Sequence, residues 1–420
     1  MNSPADAEMH ALAQLLTPQG LHLVDSIGTY DPERSLKLSE SLRAEGYSPE
    51  LVSAALTQAK LRAQAKAKFG EFAQHMVFTR NGLEQATRWS VAALHARRYA
   101  QADLTHVADL GCGIGADSLA LAALDRTVTA VEKDELTAAV ATVNLTGWPN
   151  ANVVCGDVET LDFSDLENGA PDGVWLDPAR RVTGSGRTQR VFDPEAFSPP
   201  LSFVSGLADQ GLAVGAKLGP GIPHDQVPAD AEAQWVSDHG DVVEVVLWFN
   251  AVRRPDVARA ALVLGSRADG SATAAELTSE TWDSPAPEGD LLGEVGEFFY
   301  EPDGAVIRAG LVTDLAQQLD AHLIHPTIAY LSGDELHDSP LATAYRVRDV
   351  LPHNVKTLKK WVRDHNVGTL TIKKRGTDVT PEQLRKQLAP RGTEKATLVM
   401  TRLQEIGKER RAALVVDPVH

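Results

Sequence analysis

The sequence predicts an α/β protein with a parallel sheet, preceded by a helical region and followed by a small α/β domain. β-Rich segments alternate with helical segments in the middle of the chain, which is typical of parallel strands joined by right-handed crossovers. The 420 residues suffice for two or three domains of ~150 residues. The expected divisions are a helical N-terminal region, an α/β domain, an acidic linker with a small β-containing segment, and a basic α/β domain: 1–77, 78–265, 266–340 and 341–420.

The N-terminal residues 1–75 are rich in Ala and Leu and are expected to be helical. Ser48 followed by Pro49 marks a helix start, because Ser is a favoured N-cap and Pro fits the first turn. A single helix from Leu83 to Tyr99 is expected to lead into the first strand. No basic residue precedes Arg34, and no apolar run approaches the ~20 residues of a membrane span. We therefore expect no targeting peptide, no membrane partner and a cytoplasmic location.

Charge is unevenly distributed along the chain. The whole sequence has 40 Lys and Arg against 57 Asp and Glu, a net charge of −17, but residues 341–420 hold 17 basic and 8 acidic residues. The whole-chain charge argues against a nucleic-acid partner, whereas the basic end favours one. Two cysteines, Cys112 and Cys155, exclude a disulfide framework, and no histidine spacing indicates a metal site. We expect no bound metal.

Five β-rich segments define the expected sheet of the central domain. They are His106–Leu110, Thr127–Val131, Asn152–Cys155, Gly173–Asp177 and Gly211–Lys217. A helix of small residues is expected at Ala116–Leu124, and a second at Glu135–Thr146, where Asp134 is the expected cap. Because the helices alternate with the strands, parallel pairing is expected among these strands.

Two further β-rich runs follow, Asp241–Phe249 and Ala260–Leu264. The ten residues between them contain Pro255 and are too few for a crossover helix, so the two strands are expected to pair antiparallel. From residue 268 to residue 303 there are ten acidic residues and no Lys or Arg. This composition predicts a linker or surface excursion.

A glycine-rich loop follows the first expected strand and reads Asp109-Leu110-Gly111-Cys112-Gly113-Ile114-Gly115. Glycines allow a tight turn and close approach of the backbone to a ligand, and open α/β sheets bind ligands at this end of their strands. The spacing Gly111-x-Gly113-x-x-Ala116 also fits a loose dinucleotide fingerprint. However, Asp109 would repel a pyrophosphate and attract a ligand that carries an ammonium and a sulfonium. This favours S-adenosylmethionine over NAD.

Acidic residues also end the next two expected strands. Glu132 can accept hydrogen bonds from both ribose hydroxyls, and Asp157 can accept one from an adenine amino group. With the glycine loop, this order resembles the class I S-adenosylmethionine-dependent methyltransferases over residues of about 78–265. The resemblance implies a Rossmann-like seven-stranded methyltransferase sheet and S-adenosylmethionine as cofactor. It implies the cofactor-binding residues Asp109, Gly111, Gly113, Gly115, Glu132, Lys133, Asp157 and Val158.

The fourth expected strand ends in Trp175-Leu176-Asp177-Pro178-Ala179-Arg180. In the methyltransferases that the chain resembles, this place carries an Asn/Asp-Pro-Pro-aromatic motif in enzymes that methylate exocyclic amines. The resemblance implies that Asp177 and Pro178 are catalytic and accept hydrogen bonds from the amine. Ala179 replaces the second proline and Arg180 replaces the aromatic residue, so a flipped base is expected to stack on Trp175 or on the Arg180 guanidinium.

The Asp-Pro-x-Arg pattern is also similar to RNA methyltransferases that act on carbon 5 of pyrimidines. That chemistry needs a cysteine nucleophile. Cys112 lies inside the glycine loop and Cys155 just before Gly156, so neither is placed for attack. Nitrogen or oxygen methylation is therefore expected, most directly at a base nitrogen such as guanine N2.

Basic residues are expected to bind RNA in two places. Four arginines follow the Asp-Pro pair through a Gly-Ser-Gly hinge and are placed to grip phosphates: Arg180, Arg181, Arg187 and Arg190. In the basic domain, a helix capped by Asn354 and the end of the next strand carry the other candidates: Lys356, Lys359, Lys360, Arg363, Lys373 and Lys374. Residues of about 340–415 resemble the THUMP-like module that is attached to some RNA methyltransferases.

The helix start at Thr79 resembles that of RNA-guanine methyltransferases similar to trimethylguanosine synthase, which makes Gln85 and Thr87 candidates for substrate contact. The sequence thus predicts a methyltransferase that acts on RNA, either tRNA or rRNA. Three alternatives stay open: methylation of a protein or small molecule, an inactive RNA-binding relative, for which Ala179 is the best support, and a dinucleotide oxidoreductase. The sequence does not specify an oligomeric state.

Overall fold

The structure is a computed structural model and describes residues 11–180, 193–267, 269–283, 288–405 and 408–419. The chain forms two compact units. The first comprises Met1–Leu218, Pro223–Asp230 and Leu247–Arg253, and the second comprises Gly219–Ile222, Ala231–Val246 and Arg254–His420. None of the helices in these described ranges has the length and apolarity that a membrane span requires.

The first unit begins with helices, as expected, and continues with helices that alternate with strands. Its helices are α1 (Pro18–Ile27), α2 (Ser35–Ala44), α3 (Pro49–Phe69), α4 (Arg80–Gln85), α5 (Trp89–Gln101), α6 (Ala116–Ala123), α7 (Glu135–Leu145) and α8 (Leu201–Asp209). Ser48 caps α3, because its hydroxyl accepts a hydrogen bond from the backbone N–H of Leu51 at 3.2 Å.

The expected single helix from Leu83 to Tyr99 is wrong, because the chain leaves the helical path between α4 and α5. The ammonium of Lys68, on α3, donates to the backbone carbonyls of Leu83, Glu84 and Ala86 at 2.7–2.8 Å. These bonds satisfy the carbonyls that a continued helix would have used. The break positions the short segment that contains Thr87.

The strands of the first unit are β1 (His106–Leu110), β2 (Thr127–Glu132), β3 (Ala151–Cys155), β4 (Gly173–Leu176), β5 (Ala179–Arg180), β6 (Phe197–Ser198) and β7 (Ala213–Leu218). Five of them form a parallel sheet in the order β3-β2-β1-β4-β7, whereas β5 and β6 pair with each other. The five strands predicted for the central domain are therefore confirmed, and their carboxyl ends share one edge.

The N-terminal helices share their hydrophobic core with the sheet. Phe69 on α3 contacts Phe78, and both belong to a buried cluster that includes Ile114 of the glycine loop. Burying a side chain such as Phe78 stabilises the fold by about 1.5–3 kcal/mol. Buried Gln58 both donates to and accepts from the backbone of Phe78, which removes the cost of burying its amide. The helical region is thus packed against the elements that carry the loop.

In the second unit, the structure corrects the pairing of the next strands. These are β8 (Glu232–Asp238), β9 (Asp241–Phe249, shared by the two units), β10 (Arg259–Ser266) and β11 (Ala272–Ser279). The expected antiparallel pair of β9 and β10 is wrong, because β10 pairs with β8 in parallel and with β11 antiparallel.

Strand β8 escaped prediction because polar side chains interrupt its apolar pattern, although every residue in it is buried. Glu232 is buried because Arg254 donates to both of its carboxylate oxygens, and Arg254 also contacts Glu276 on β11. Arg254 lies 22 residues from Glu232 in the sequence. Glu276 lies on a different strand, 42 residues from Gln234, which it also contacts. A local pattern therefore carries no sign that these charges are paired inside the fold.

The rest of the second unit contains a seven-stranded sheet in the order β13-β14-β12-β15-β18-β17-β16. Its strands are β12 (Phe298–Pro302), β13 (His322–Leu323), β14 (Leu331–Gly333), β15 (Ala342–Pro352), β16 (Val367–Lys374), β17 (Glu394–Glu405) and β18 (Lys408–Pro418). Its helices are α9 (Gly304–Arg308), α10 (Val312–Gln318), α11 (Val355–Asp364) and α12 (Pro381–Leu388). The segment expected to be a linker thus supplies β11 and part of this sheet.

Candidate active site at the carboxyl ends of the parallel strands

The glycine loop joins β1 to α6 in a conformation that its glycines make accessible. Gly111, Gly113 and Gly115 have φ values of 90°, 56° and 87°, in the left-handed region that other residues rarely adopt. The N–H of Gly111 donates to the carbonyl of Val131 on β2 at 2.8 Å, which holds the loop against the sheet. A Cβ added at Gly113 would have no atom within 4 Å. The loop therefore borders open space, where a ligand can approach its backbone.

Asp109 lies beneath this loop and is 1% exposed. The hydroxyl of Ser118 on α6 donates to its Oδ2 at 2.5 Å. Burial raises the pKa of Asp109 to about 8, and the nearby charge of Asp117 adds to the rise. The carboxyl is therefore mainly protonated at pH 7. The expected repulsion between a charged Asp109 and a pyrophosphate does not hold for this structure, because burial keeps the carboxyl mainly neutral.

The other predicted cofactor acids lie at the ends of β2 and β3. Glu132 accepts from the backbone N–H of Gly113 at 3.0 Å through Oε2, so it also braces the loop. Asp157 accepts from the ammonium of Lys133 at 2.6 Å, and this hydrogen bond lowers the pKa of Asp157. Val158, the next residue, is half-buried. The β2–β3 register, in which Glu132 lies opposite Cys155, brings these groups to one edge.

These residues fit S-adenosylmethionine by their chemistry. Glu132 and Asp157 offer carboxylate oxygens that can accept hydrogen bonds from hydroxyl and amino groups. The space in front of Gly113 is free of protein atoms within 4 Å of an added Cβ. Neither carboxylate is fully buried, so each can exchange its present contacts for contacts with a ligand.

Asp177 follows β4 directly and contacts Lys217, which was not among the predicted site residues. Leu176 on β4 lies opposite Ala216 on β7, so the next residues, Asp177 and Lys217, are also neighbours. The Nζ atom of Lys217 lies 2.5 Å from Oδ2 of Asp177. The sequence contained one signal for Lys217: it is a charged residue at the end of a predicted strand, Gly211–Lys217.

The two upstream candidates, Gln85 and Thr87, have different environments. Thr87 is buried, and its Oγ1 accepts from Nζ of Lys217 at 3.1 Å. Gln85 is exposed at the end of α4. The structure therefore brings Thr87 together with Asp177 through Lys217. Nearby, burial and the charges of Lys217 and Arg88 lower the pKa of Lys68 to about 8.

Behind Lys217 lies a buried histidine–aspartate pair. Nδ1 of His95 on α5 is 2.8 Å from Oδ1 of Asp117 on α6, and both side chains are buried. Burial by itself raises the pKa of Asp117, but the hydrogen bond and charge of His95, the charge of Lys217 and a hydrogen bond from Thr87 bring it below its ordinary value. The ring of His95 stacks on Trp175, with centroids 4.1 Å apart.

The structure corrects the expectation that a base stacks on Trp175. The indole is 1% exposed, and it packs between His95 and Trp248 inside the first unit. A substrate base cannot reach its face. The other stacking candidate, the Arg180 side chain, lies outside the described part of the chain, as do Arg181, Arg187 and Arg190.

The two cysteines have different environments. Cys112 is buried in the glycine loop, and burial together with Asp109 and Glu132 raises the pKa of its thiol well above the ordinary value. Cys155 is exposed at the end of β3. A thiol held protonated is a poor nucleophile, so Cys112 is unsuited to attack on a pyrimidine ring. Across the described ranges, no group of three or more His, Cys, Asp or Glu is arranged to hold a metal.

In the second unit, the basic candidates divide into two groups. Asn354 caps α11 as expected, and the basic side chains of this helix are exposed: Lys356, Lys359, Lys360 and Arg363. Lys374 is also exposed, at the end of β16. Lys373, in contrast, is half-buried, donates to Glu301 at 2.5 Å and lies over the ring of Tyr345. Its charge is already paired within the fold.

Comparison with known proteins agrees with this architecture. Residues 108–176 match a family described as a methyltransferase domain, residues 342–418 match one described as THUMP domain-like, and residues 8–65 match a domain of unknown function (DUF8688). A provisionally named methyltransferase from Porphyromonas gingivalis W83 has a similar crystal structure, with a TM-score of 0.73 and 20% identity over 93% of this chain and 100% of that chain. That similarity supports the fold.

Sequence similarity supports the activity. The chain is 30% identical over 352 residues to an uncharacterized S-adenosylmethionine-dependent methyltransferase of Mycobacterium tuberculosis, and the match covers 82% of this chain and 90% of that protein. The same figures hold for the proteins of strains CDC 1551 / Oshkosh and ATCC 25618 / H37Rv. The chain therefore belongs to the S-adenosylmethionine-dependent methyltransferases, and S-adenosylmethionine is its cofactor.

Proposed function

We propose that this methyltransferase acts on RNA, either tRNA or rRNA, in the cytoplasm, and that it methylates a base nitrogen such as guanine N2. In this proposal, residues 78–265 form the methyltransferase domain behind the helical region 1–77. Residues 266–340 lie between it and a basic RNA-binding domain, 341–420, and contribute strands to the sheets on both sides.

The observation that carries the RNA assignment is the exposed basic face of α11 within the THUMP domain-like segment. Four cations on ten residues of helix are exposed there, although the chain as a whole is acidic. A cluster of this kind contributes to RNA affinity through phosphate contacts and counterion release. Lys374 adds a fifth exposed charge, and the arginines that follow Asp177 supply a second basic segment: Arg180, Arg181, Arg187 and Arg190.

The cofactor is assigned to the edge formed by the ends of β1, β2 and β3. Glu132 and Asp157 accept hydrogen bonds from its hydroxyl and amino groups, and the glycine loop lets the cofactor approach the backbone. Lys133 and Val158 border this site, and Asp109 supports the loop from beneath. When bound, S-adenosylmethionine would supply a methyl group on a sulfonium: an amine would attack the methyl carbon in line, and the sulfur would leave as a thioether with the electron pair of the C–S bond.

Asp177 and Pro178 are assigned to the nucleophile. The Asp177 carboxylate and the Pro178 carbonyl accept hydrogen bonds from the two N–H groups of an exocyclic amine, and so they direct its lone pair. Directed in this way, the lone pair would be placed to attack the methyl carbon. The nitrogen then loses one proton, for which the Asp177 carboxylate is the acceptor. Gln85, exposed at the end of α4, is assigned to substrate contact.

Transfer of labelled methyl groups tests this function. RNA from cells that lack the protein is incubated with the full chain and labelled S-adenosylmethionine, then digested to nucleosides. We expect label in one nucleoside, a guanosine methylated at N2, and a loss of about 10²-fold or more in Asp177→Asn. The exposed Asp165→Asn is the matched control and keeps the rate. Label in protein or in a small molecule, with none in RNA, would contradict the RNA assignment.

A further inference from the structure

Five polar side chains form a continuous line from the candidate transfer site into the core of the first unit. Oδ2 of Asp177 lies 2.5 Å from Nζ of Lys217, which lies 3.1 Å from Oγ1 of Thr87. Thr87 hydrogen-bonds to Asp117, and Oδ1 of Asp117 lies 2.8 Å from Nδ1 of His95. No step of this line relies on groups outside the first unit.

Solvent exposure decreases along the line. The Asp177 side chain is 33% exposed and the Lys217 side chain 15%, whereas Thr87, Asp117 and His95 are buried. Asp177 therefore faces the ligand edge, and the other end is anchored by rigid packing. That packing is the stack of His95 on Trp175, a residue of β4 itself.

Lys217 needs charged partners, because its side chain is only 15% exposed and a charge largely removed from water is costly unless it is paired. Lys217 has carboxylates on two sides: Asp177 in direct contact, and Asp117 as the next polar group beyond Thr87. Its ammonium is therefore held between a carboxylate at the site and one in the core. An ammonium held from both sides limits the orientations that the Asp177 carboxylate can adopt.

Orientation is the quantity that matters for this reaction, because methyl displacement is in line and sensitive to small misplacements of the nucleophile. A carboxylate that rotates freely would accept the amine in several poses. Lys217 links the carboxylate to β7, α5, α6 and the segment between α4 and α5, so that side chains of four other segments fix one acceptor.

We propose that Lys217 is a positioning residue for Asp177, and that Thr87 with the buried Asp117–His95 pair holds Lys217 in place. The proposal rests on the assignment of Asp177 to the nucleophile. Lys217 acts through Asp177 and does not itself bond to the reacting atoms.

The test compares full-length variants with S-adenosylmethionine and RNA from cells that lack the protein. Lys217→Met removes the ammonium, Lys217→Arg keeps a positive charge, and Lys60→Met, on the exposed side of α3, is the matched control. We expect Lys217→Met to lower kcat by about 10²-fold. The KM for RNA and the Kd for S-adenosylmethionine, measured by calorimetry, are expected to stay within about threefold, because a positioning residue acts in the transition state.

Conservative variants separate positioning from folding. Lys217→Arg is expected to recover at least about tenfold of the lost kcat, because it restores a donor to the carboxylate. Thr87→Val is expected to lower kcat while Thr87→Ser keeps it, because only the hydroxyl bridges Lys217 to Asp117. Wild-type kcat in Lys217→Met, or a loss of kcat that comes with lost cofactor binding, would overturn the positioning role.

A second measurement tests the Lys217–Asp177 interaction separately if the wild-type protein transfers no methyl group to RNA, a result that would refute the proposed function. The Tm values of Lys217→Met, Asp177→Asn and the double variant are then compared. We expect the two single shifts in Tm to be non-additive in the double variant, because the residues share one interaction. Additive shifts would overturn the inference.

Discussion

The ammonium of Lys217 and the carboxylate of Asp177 lie 2.5 Å apart at the adjacent carboxyl ends of β7 and β4. The β4–β7 register, with Leu176 opposite Ala216, makes this contact a consequence of strand pairing. Because the Lys217 side chain is only 15% exposed, water screens the pair less than it screens a surface salt bridge. Asp177 therefore functions as part of a pair, and its orientation depends on β7 as well as on β4.

Asp109 is expected to make the protein less stable as the pH rises towards 8. Burial raises the pKa of Asp109 from 3.8 to about 8, so the folded state keeps a proton that the unfolded state has lost between these values. The free energy of unfolding therefore falls as pH rises through this window, by up to about 1.4 kcal/mol per pH unit from this group. Asp109→Asn is expected to flatten that slope in denaturant unfolding from pH 5 to pH 8.

The exposed Asp165→Asn serves as the control for this experiment and is expected to leave the slope unchanged. A slope in Asp109→Asn equal to that of the wild type would show that Asp109 is ionised in the folded protein at neutral pH.

Replacement by alanine is expected to change the free energy of unfolding in opposite directions at two glycines of the first unit. A Cβ at Gly215 on β7 would lie 2.6 Å from Trp248 and 2.6 Å from the Tyr99 hydroxyl, inside the core. Gly215→Ala is therefore expected to lower the free energy of unfolding by about 1–3 kcal/mol. A Cβ at Gly206 on α8 meets no atom within 4 Å, so Gly206→Ala is expected to raise it by up to about 1 kcal/mol through helix propensity.

Denaturant unfolding of the two variants checks this prediction. Stability changes of the same sign would mean that the packing around Gly215, or the space around Gly206, differs from the structure.

The basic face of α11 is expected to control the salt dependence of RNA binding. Replacing its four cations with glutamine removes four candidate phosphate contacts: Lys356, Lys359, Lys360 and Arg363. The slope of log Kobs against log salt concentration should fall in magnitude by roughly 3 for a single-stranded RNA. The matched control replaces four exposed cations in or next to the N-terminal helices: Arg34, Lys37, Arg43 and Lys60. An equal change of slope in both sets of variants would contradict the prediction, because the net charge of the protein, and not the position of the cations on α11, would then determine the slope.

Lys373 and Lys374 are neighbours in sequence but are expected to have different roles. Lys373 pairs with Glu301 and is half-buried, so Lys373→Met is expected to destabilise the protein by about 1 kcal/mol. Lys374 is exposed, so Lys374→Met is expected to change stability by less than about 0.5 kcal/mol and to weaken RNA binding. Thermal unfolding and RNA titration of each variant check the assignment. A stability loss confined to Lys374→Met would contradict it.

The parallel sheet and its ligand edge were predictable because their signals are local. A glycine loop after an apolar strand, and acids at the ends of the next strands, mark the edge without any knowledge of distant contacts. The position of Asp177 follows from the same pattern. Lys217 also ended a predicted strand, but nothing in the sequence connected it to Asp177 before the β4–β7 pairing was known.

Features that depend on distant partners were not predictable. Strand β8 is buried although it carries Glu232, whose partner Arg254 lies 22 residues away. The charge state of Asp109 depends on its burial beneath the loop and on Asp117, and the inaccessibility of Trp175 depends on packing against Trp248. In each case, the decisive quantity is the three-dimensional environment of a side chain, which composition and spacing do not contain.

The most direct test of the account is the nucleoside content of RNA from cells with and without this protein. We expect mass spectrometry to find one methylated nucleoside, guanosine methylated at N2, missing from the cells that lack the protein. The wild-type chain should restore it, and Asp177→Asn should not. Identical methylated nucleosides in both cell types, with the protein shown to be expressed in the first, would contradict the proposal that RNA is its substrate.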